Sequence, residues 1–597
     1  MAYFRRRIVF VAVALLFCLY HFHGISGGGG LLQTQTDPIA ATQTIIKNRI
    51  DWNAVPQRYP VESMIPLPSG TPAKIPNIQY KFGKETKAGK RKRQERLEAI
   101  RESFLHSYRG YQKYAWLQDE VTPLSGEYKN GFGGWGATLI DTLDTLWIMG
   151  MKKEFAIAVA AVEKIDFTSS DSKVISVFET TIRYVGGLLG AYDLSRGKYP
   201  VLLKKAVELG DFLYAAFDTP NRMPITYWEW EKATSGEEQE AGTSVPVADL
   251  GSLSMEFTRL TQLTGDPKYF DAVQRIYDGL AEQQNDTRLP GMWPLMVNAR
   301  KMDFTKDATF TFGAMSDSLY EYFPKQYLLV GGLSEQYRKM YEGTIKAAKK
   351  HIFFRPLNEE NRDILVSGTM RDVATQSERL DPEGQHLTCF VGGMVGIGAK
   401  VFNRPEELDT ARRLTDGCIW SYEAMPTGIG PEIFRAVPCL DPGDCTFSLD
   451  RYYHWIATDM HYREEDEDED PPLTRAKAFV KEMGLFPGFT EIRERKYILR
   501  PEAIESVFIM YRITGDKTLQ DKAWDMFQAV NRYTRTDVAH ASIEDVTSTH
   551  PRKIDSMESF WTAETLKYYY LIFAEPDLVS LDDYVFNTEA HPFKRPS

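Results

Sequence analysis

The sequence predicts an all-α protein whose main body is one closed α/α barrel. Three observations lead there. Apolar residues recur at helical spacing from about residue 95 almost to the end. A helix–turn–helix plan repeats, clearest in MEFTRLTQLTGDPKYFDAVQRIYDGLAEQ and IESVFIMYRITGDKTLQDKAWDMFQAVNRY, which share a TGD turn between two amphipathic stretches. Finally, the repeats fall irregularly, roughly 50–70 residues apart, with long loops between them; a solenoid would show a short regular period and polar caps. A closed ring accommodates unequal loops.

Taken from the start, MAYFRRRIVFVAVALLFCLYHF places three arginines before an apolar run. No small-residue cleavage site follows, so residues 1–23 read as a short cytoplasmic tail and uncleaved signal-anchor rather than a removed signal peptide. Either reading puts the bulk of the chain in the lumen of the secretory pathway, Golgi or endoplasmic reticulum. Residues 24–94, rich in Gly, Pro, Thr and Lys, read as a stem, with the basic run KRKR at 90–93 as a solvated or protease-accessible stretch. Residues 95–597 form the barrel. Looser copies of the hairpin are TIRYVGGLLGAYDLSRGKYPVLLKKAVELGDFLYAAF, YEYFPKQYLLVGGLSEQYRKMYEGTIKAAKKHI and VGGMVGIGAKVFNRPEELDTARRLTDGCIW. One loop interrupts them, 435–496, holding Cys439, Cys445 and the acidic run EEDEDED at 464–470. That run lacks the spaced ligands and glycine of an EF-hand and reads as a solvated insertion.

The bulk numbers bound the function. The chain has 597 residues, 43% of them hydrophobic and 13% aromatic, enough for a large core, and a formal net charge of −11 that argues against nucleic-acid binding. Apart from Cys18 in the apolar run, four cysteines remain, Cys389, Cys418, Cys439 and Cys445, an even number that allows two disulfides; no CxxC or Cys/His cluster suggests zinc.

Chemistry enters through misplaced carboxylates. ILRPEAIES opens a helix at Pro501, with Glu502 in the first turn, where the helix dipole favours an ionised acid, and Glu505 on the same face. FETTIR offers Glu179 and Arg183 at i, i+4, and SDSLYEYF offers Asp317 and Glu321 at the same spacing. GPEIF places Glu432 after a proline, and MESFWTAETLKYYYLIF places Glu558 and Glu564 around Phe560. Each acid is read as opening an apolar helix, so a ring would converge them on one mouth. Burying so many acids is too costly without a cation or polar ligand to meet them, and sugar hydroxyls with a metal ion suit that role.

GGWGATLIDTLDTLWIMGM, VFETTIRYVGGLLGAYDL, SDSLYEYFPKQYLL, HLTCFVGG, TGIGPEIF, YILRPEAIES, MESFWTAETLKYYYLIF and VFNTEAHP occur in this order. Together they resemble the class I α-1,2-mannosidases, glycoside hydrolase family 47, over about residues 95–593. The resemblance implies an (αα)7 barrel and inverting hydrolysis of terminal α-1,2-linked mannose from high-mannose N-glycans. It implies Glu179 as the acid protonating the leaving oxygen through a water, Glu502 as the base, and Asp317 and Glu432 as further catalytic carboxylates. Inversion needs the working acid and base roughly 6.5–9.5 Å apart, leaving room for a water. Thr588 would give hydroxyl and carbonyl oxygens to Ca2+, with Glu502, Glu505, Glu558, Glu564 and Glu589 holding its waters. Arg183, His386, Arg500 and Phe560 match positions lining the sugar site. Cys389 and Cys418 match a disulfide of the family, and a small bridge between Cys439 and Cys445 is expected beside it.

Two positions depart from the pattern. Met315 stands where the endoplasmic-reticulum type, which removes a single mannose, carries Arg, and this points to broader Golgi-type trimming. Asp249 stands where the family has Glu. A glycan-binding lectin on the same barrel would have broken catalytic positions, and none is broken here. A degradation-linked quality-control homologue is the other reading, against which Cys389 argues for the processing branch. The protein is expected to act as a monomer.

Overall fold

The computed structural model describes residues 49–441, 443–463 and 472–596. The anchor at 1–23, the stem up to residue 48 and the acidic run at 464–470 lie outside the described residues. None of the described helices is long and apolar enough to cross a membrane.

Fourteen principal helices build the body. They are α1 (Lys87–Tyr114), α2 (Leu143–Ile148), α3 (Lys152–Val162), α4 (Gly186–Leu194), α5 (Pro200–Tyr214), α6 (Ser254–Thr264) and α7 (Lys268–Gln283). They continue with α8 (Asp317–Leu329), α9 (Glu335–His351), α10 (Phe390–Val401), α11 (Glu407–Glu423), α12 (Glu502–Thr514), α13 (Lys517–Thr534) and α14 (Leu566–Phe573). Even-numbered helices pack side by side as an inner ring, and each even-numbered helix from α2 to α12 pairs with the helix that follows it. Closure comes from the chain's two ends. Helix α1 packs on α14, and the turn ahead of α14 reaches α2. The α/α barrel expected from the repeats is therefore present.

The two rings differ as their sequences do. Inner helix α12 buries every residue from Ala503 to Ile513, whereas outer α13 buries one stripe, Leu519, Ala523, Met526, Phe527 and Val530. The repeated TGD turn has one physical basis at both sites. Gly265 and Gly515, at φ 78° and 71°, take the left-handed conformation that ends α6 and α12 without a Cβ clash. The aspartate that follows accepts from the backbone two residues on, Asp266 from Lys268 and Asp516 from Thr518.

The structure redraws the stem. From Ile50 onward the chain belongs to the same compact unit as the barrel, with Trp52 and Ile78 buried. KRKR lies inside α1, and Arg93 pairs with Glu85 and Glu575 at 11% side-chain exposure, so this run is folded, not linker. Local composition hid this because the packing partners lie hundreds of residues away. The insertion is likewise more than a loop. Helices Leu449–Arg463 and Pro472–Met483 pack on each other, and strand Phe489–Glu494 joins Ile433–Ala436 and Glu383–Gln385 in an antiparallel sheet. Disulfides Cys389–Cys418 and Cys439–Cys445 are both formed.

A terminal hairpin, Tyr584–Phe586 paired with Pro592–Lys594, enters the barrel beside α4. Its route is cut by glycine: a Cβ on Gly186 would come within 2.7 Å of Asn587 and 2.8 Å of His591. Below the tip, His591 Nδ1 meets Asp144 at 2.8 Å and the Lys567 ammonium pairs with the same carboxylate at 2.8 Å, all three fully buried. The hairpin tip, Asn587 to Ala590, thus reaches the barrel interior.

Candidate active site

A cavity of about 280 Å³ opens where the first turns of α8 and α12 meet the hairpin tip. Asp317 is the first residue of α8 and Glu502 the first of α12, so both sit at positive helix ends. Pro501 occupies the cap of α12, one position earlier than its pattern suggested. Glu179 ends the short helix Val177–Glu179, whose first turn is capped by the Ser176 hydroxyl accepting from the Glu179 N–H at 3.2 Å. The chain then makes a π-helical turn, Thr180–Val185, and a second one, Trp561–Thr565, brings Glu564 to the same cavity. Three residues bordering site segments hold non-glycine left-handed backbone: Met315 at φ 75°, Leu499 at 71° and Ala590 at 58°. Such conformations are costly and gather where surrounding structure fixes a functional geometry.

Glu502 is the best-supported carboxylate. It accepts a 2.8 Å hydrogen bond from His386 Nδ1, and Arg500 Nη1 lies 3.7 Å away. A carboxylate can only accept here, so Nδ1 carries the proton and Nε2 faces the Tyr422 hydroxyl at 2.7 Å. Burial pushes the Glu502 carboxyl up, but the His386 hydrogen bond and the Arg500 charge outweigh it and hold it below the ordinary range. Glu432 stands one layer behind. Its carboxylate takes Arg500 Nε at 2.5 Å. The three-stranded sheet places it, with the His386 N–H donating to the Glu432 carbonyl at 2.9 Å. Glu432 was expected to open a helix; it precedes a strand instead.

On the other side of the mouth Asp317 is pushed up to about 7, by burial first and by Glu321 and Glu502 after it, against the Ser318 N–H and Arg500, which pull it down. Glu505, buried and repelled by Glu321 and Glu502 but opposed by Lys325, rises to about 8. The buried Lys325 ammonium bridges Glu321 and Glu505. Deeper, Arg183 donates to Glu179 at 2.9 Å and to Glu589 at 2.8 Å. Burial nevertheless lifts Glu589 to about 7, with Asp141 and Glu179 adding to the rise and Arg183 and a hydrogen bond with Glu564 opposing it; burial and the neighbouring Glu589 raise Glu564 well above the ordinary carboxylate range. Phe560 presents an aromatic face at the cavity, with the Arg183 and Arg500 guanidinium groups 5.8 Å and 6.0 Å from its ring centre.

All but three of the expected residues line this one cavity: Glu179, Asp317, Glu502, Arg183, Arg500, Glu505, Phe560, Glu564, Thr588 and Glu589. Glu432 and His386 stand one hydrogen bond behind it, through Arg500 and Glu502. Glu558 is turned aside onto Lys129, 3.4 Å away, which also holds Glu120. Met315 and Asp249 line the cavity as well, Met315 at 51% exposure. Sequence reading missed Lys325 and Tyr227. The first lies four residues after Glu321 on one helix face, a spacing that marks an ion pair; nothing local marks Tyr227.

The cavity that Thr588 lines also carries the carboxylates of Glu502, Glu505, Glu564 and Glu589. Among the described residues, no group of three or more His, Cys, Asp or Glu side chains is arranged to hold a metal directly. Hard oxygen donors of this kind suit a calcium-like ion.

The chain matches the model of glycosyl hydrolase family 47 over residues 103–595. It is 34% identical over 504 residues to the endoplasmic reticulum mannosyl-oligosaccharide 1,2-alpha-mannosidase of Rattus norvegicus, covering 83% of this chain and 68% of that one. It is 33% identical over 513 residues to a mannosyl-oligosaccharide 1,2-alpha-mannosidase of Arabidopsis thaliana, covering 84% and 79%. Its fold superposes on an alpha-1,2-mannosidase from Trichoderma reesei with a TM-score of 0.73 at 30% identity, covering 84% of this chain and 99% of that one.

Proposed function

Because the chain belongs to glycosyl hydrolase family 47 and is a glycosidase, we propose that it removes terminal α-1,2-linked mannose from the high-mannose N-glycans of glycoproteins. The observation that carries this reading is the convergence of Glu179, Asp317, Glu502 and Thr588 on one cavity. The hydrolysis inverts the anomeric carbon and depends on calcium.

Glu502 acts as the base. Held ionised by His386 and Arg500, it takes a proton from the water that attacks the anomeric carbon. Glu179, fixed by Arg183 and the Ser176 cap, delivers a proton to the leaving oxygen through a water. Asp317, whose carboxyl sits at about 7, can take up and release a proton near neutrality and assists proton delivery on the leaving-group side of the site. Glu432 keeps Arg500 aimed at Glu502. Phe560 packs an apolar sugar face. Thr588 would hold Ca2+ through its hydroxyl and carbonyl oxygens, where the ion supplies a hard centre that fixes sugar hydroxyls.

Met315 in place of a guanidinium leaves the outer cavity without a clamp for a neighbouring glycan branch, which favours Golgi-type removal of several mannoses. The residues 1–23 anchor this enzyme with its barrel in the lumen. Incubation of the protein with a nine-mannose glycan, with calcium and with EDTA, tests the proposal: free mannose in calcium and none in EDTA is expected. Glycan binding without release in calcium would leave a lectin.

A further inference from the structure

We infer that Trp52, contributed by the segment ahead of the barrel, is a positioning residue for Glu179, so that the catalytic unit begins near residue 50. The inference rests on the assignment of Glu179 as the acid.

Glu179 hangs from the end of a loop, residues 167–176, which contains almost no regular structure. Three tryptophans hold that loop by the same device. The indole N–H of Trp52 donates to the Thr168 carbonyl at 2.9 Å, that of Trp135 to Ser169 at 3.0 Å, and that of Trp230 to Ser172 at 2.9 Å. The loop then forms the strand pair in which Ser176 faces Tyr227, and the Ser176 hydroxyl caps the helix bearing Glu179. Tyr227 lines the cavity, and its neighbour Trp228 lies under Trp52 with ring centres 5.6 Å apart.

Trp52 is also set among the aromatic rings of this cluster. Phe212 meets it edge-on at 5.2 Å, and Phe212 in turn contacts Trp135, whose ring meets Tyr184 in the π-helical turn after Glu179. The segment that delivers the indole is itself tied to the barrel. Asn53 donates to Asp211 at 2.6 Å, and the N–H groups of Arg58 and Tyr59 donate to Asp218 at 2.8 Å each. Losing the indole would open a void against Trp228 and Phe212 and leave the Thr168 carbonyl short of a donor, in the loop that leads into the helix bearing Glu179. Small displacements of an acid relative to its leaving group are expensive in rate.

The test compares full-length Trp52→Phe and Trp52→Ala with the parent and with Ile65→Ala, a change in the same segment whose backbone is tied to Asp271. Each is assayed well below its melting temperature on a nine-mannose glycan and on an α-mannosyl fluoride, whose fluoride leaves with much less help from an acid. Expected is a kcat loss of ~10-fold or more on the glycan for Trp52→Ala, smaller for Trp52→Phe, with KM little changed. The loss is expected to be several-fold smaller on the fluoride, and Ile65→Ala is expected to keep parental kcat. Undiminished kcat in folded Trp52 variants, a loss confined to KM, or equal losses on both substrates would overturn the inference. A parent that releases no mannose would instead overturn the assignment beneath it.

Discussion

Replacing His386 with Phe is expected to move the acid limb of the pH–rate profile toward neutrality. The Glu502 side chain is only 14% exposed, and burial is the largest single influence on its carboxyl; the 2.8 Å hydrogen bond from His386 is the next and opposes it. A hydrogen bond to a charged group contributes about 1.5–3 kcal/mol, and about 1.4 kcal/mol corresponds to one unit of pKa. Its loss therefore withdraws about 1.5–3 kcal/mol from the ionised form of Glu502 and raises its carboxyl, with Arg500 still opposing burial. The sign follows from the role. A base must be ionised, so activity falls as pH drops through its pKa, and a raised pKa brings that fall to higher pH. The assay is kcat/KM for mannose release between about pH 4 and pH 9 in saturating calcium. On the acid side of neutrality the variant should be impaired, and it should regain most of the deficit as the pH rises through neutrality. A deficit of equal size at every pH would refute the reasoning, because His386 would then be holding shape rather than charge.

Asp317→Asn should lower kcat by about 10²–10⁴. Because folding lifts this carboxyl from an ordinary 3.8 to about 7, its contribution to stability is fully present below about pH 4 and lost as pH rises through about 7. The calcium-free variant should accordingly melt higher than the parent at about pH 8 and equally at about pH 4, as read by calorimetry. Cys389→Ser with Cys418→Ser removes a bridge across 29 residues, expected to cost about 3–4 kcal/mol in urea titrations, with His386 three residues away made the first part of the site to loosen. Met315→Arg should confine trimming of a nine-mannose glycan to one residue, followed as product isomers over time; unrestricted trimming would show that this position does not select.

Much of this protein could be read from local pattern. The alternation of amphipathic and wholly apolar helices, the TGD turns and the acids at helix starts are all effects of neighbours within a few residues. Those neighbours determine the hairpin, the ring of hairpins and the carboxylate set, Glu179, Asp317 and Glu502 included. Other features depend on residues far apart in the chain. Glu432 reaches Arg500 only through a three-stranded sheet drawn from three separate segments. Glu558 has acid chemistry and a good position, yet Lys129 captures it from more than 400 residues away. Thr588 owes its place to glycines at 186 and 190, which leave room for a hairpin nearly 400 residues downstream. Trp52 reads as part of a stem until the cluster it completes is assembled. The sequence by itself determined the repeating helical unit and the kinds of side chain offered to a ligand, because those rest on short-range periodicity. The tertiary structure alone decided which of them share a cavity and which charges each must face, because that requires the ring to close.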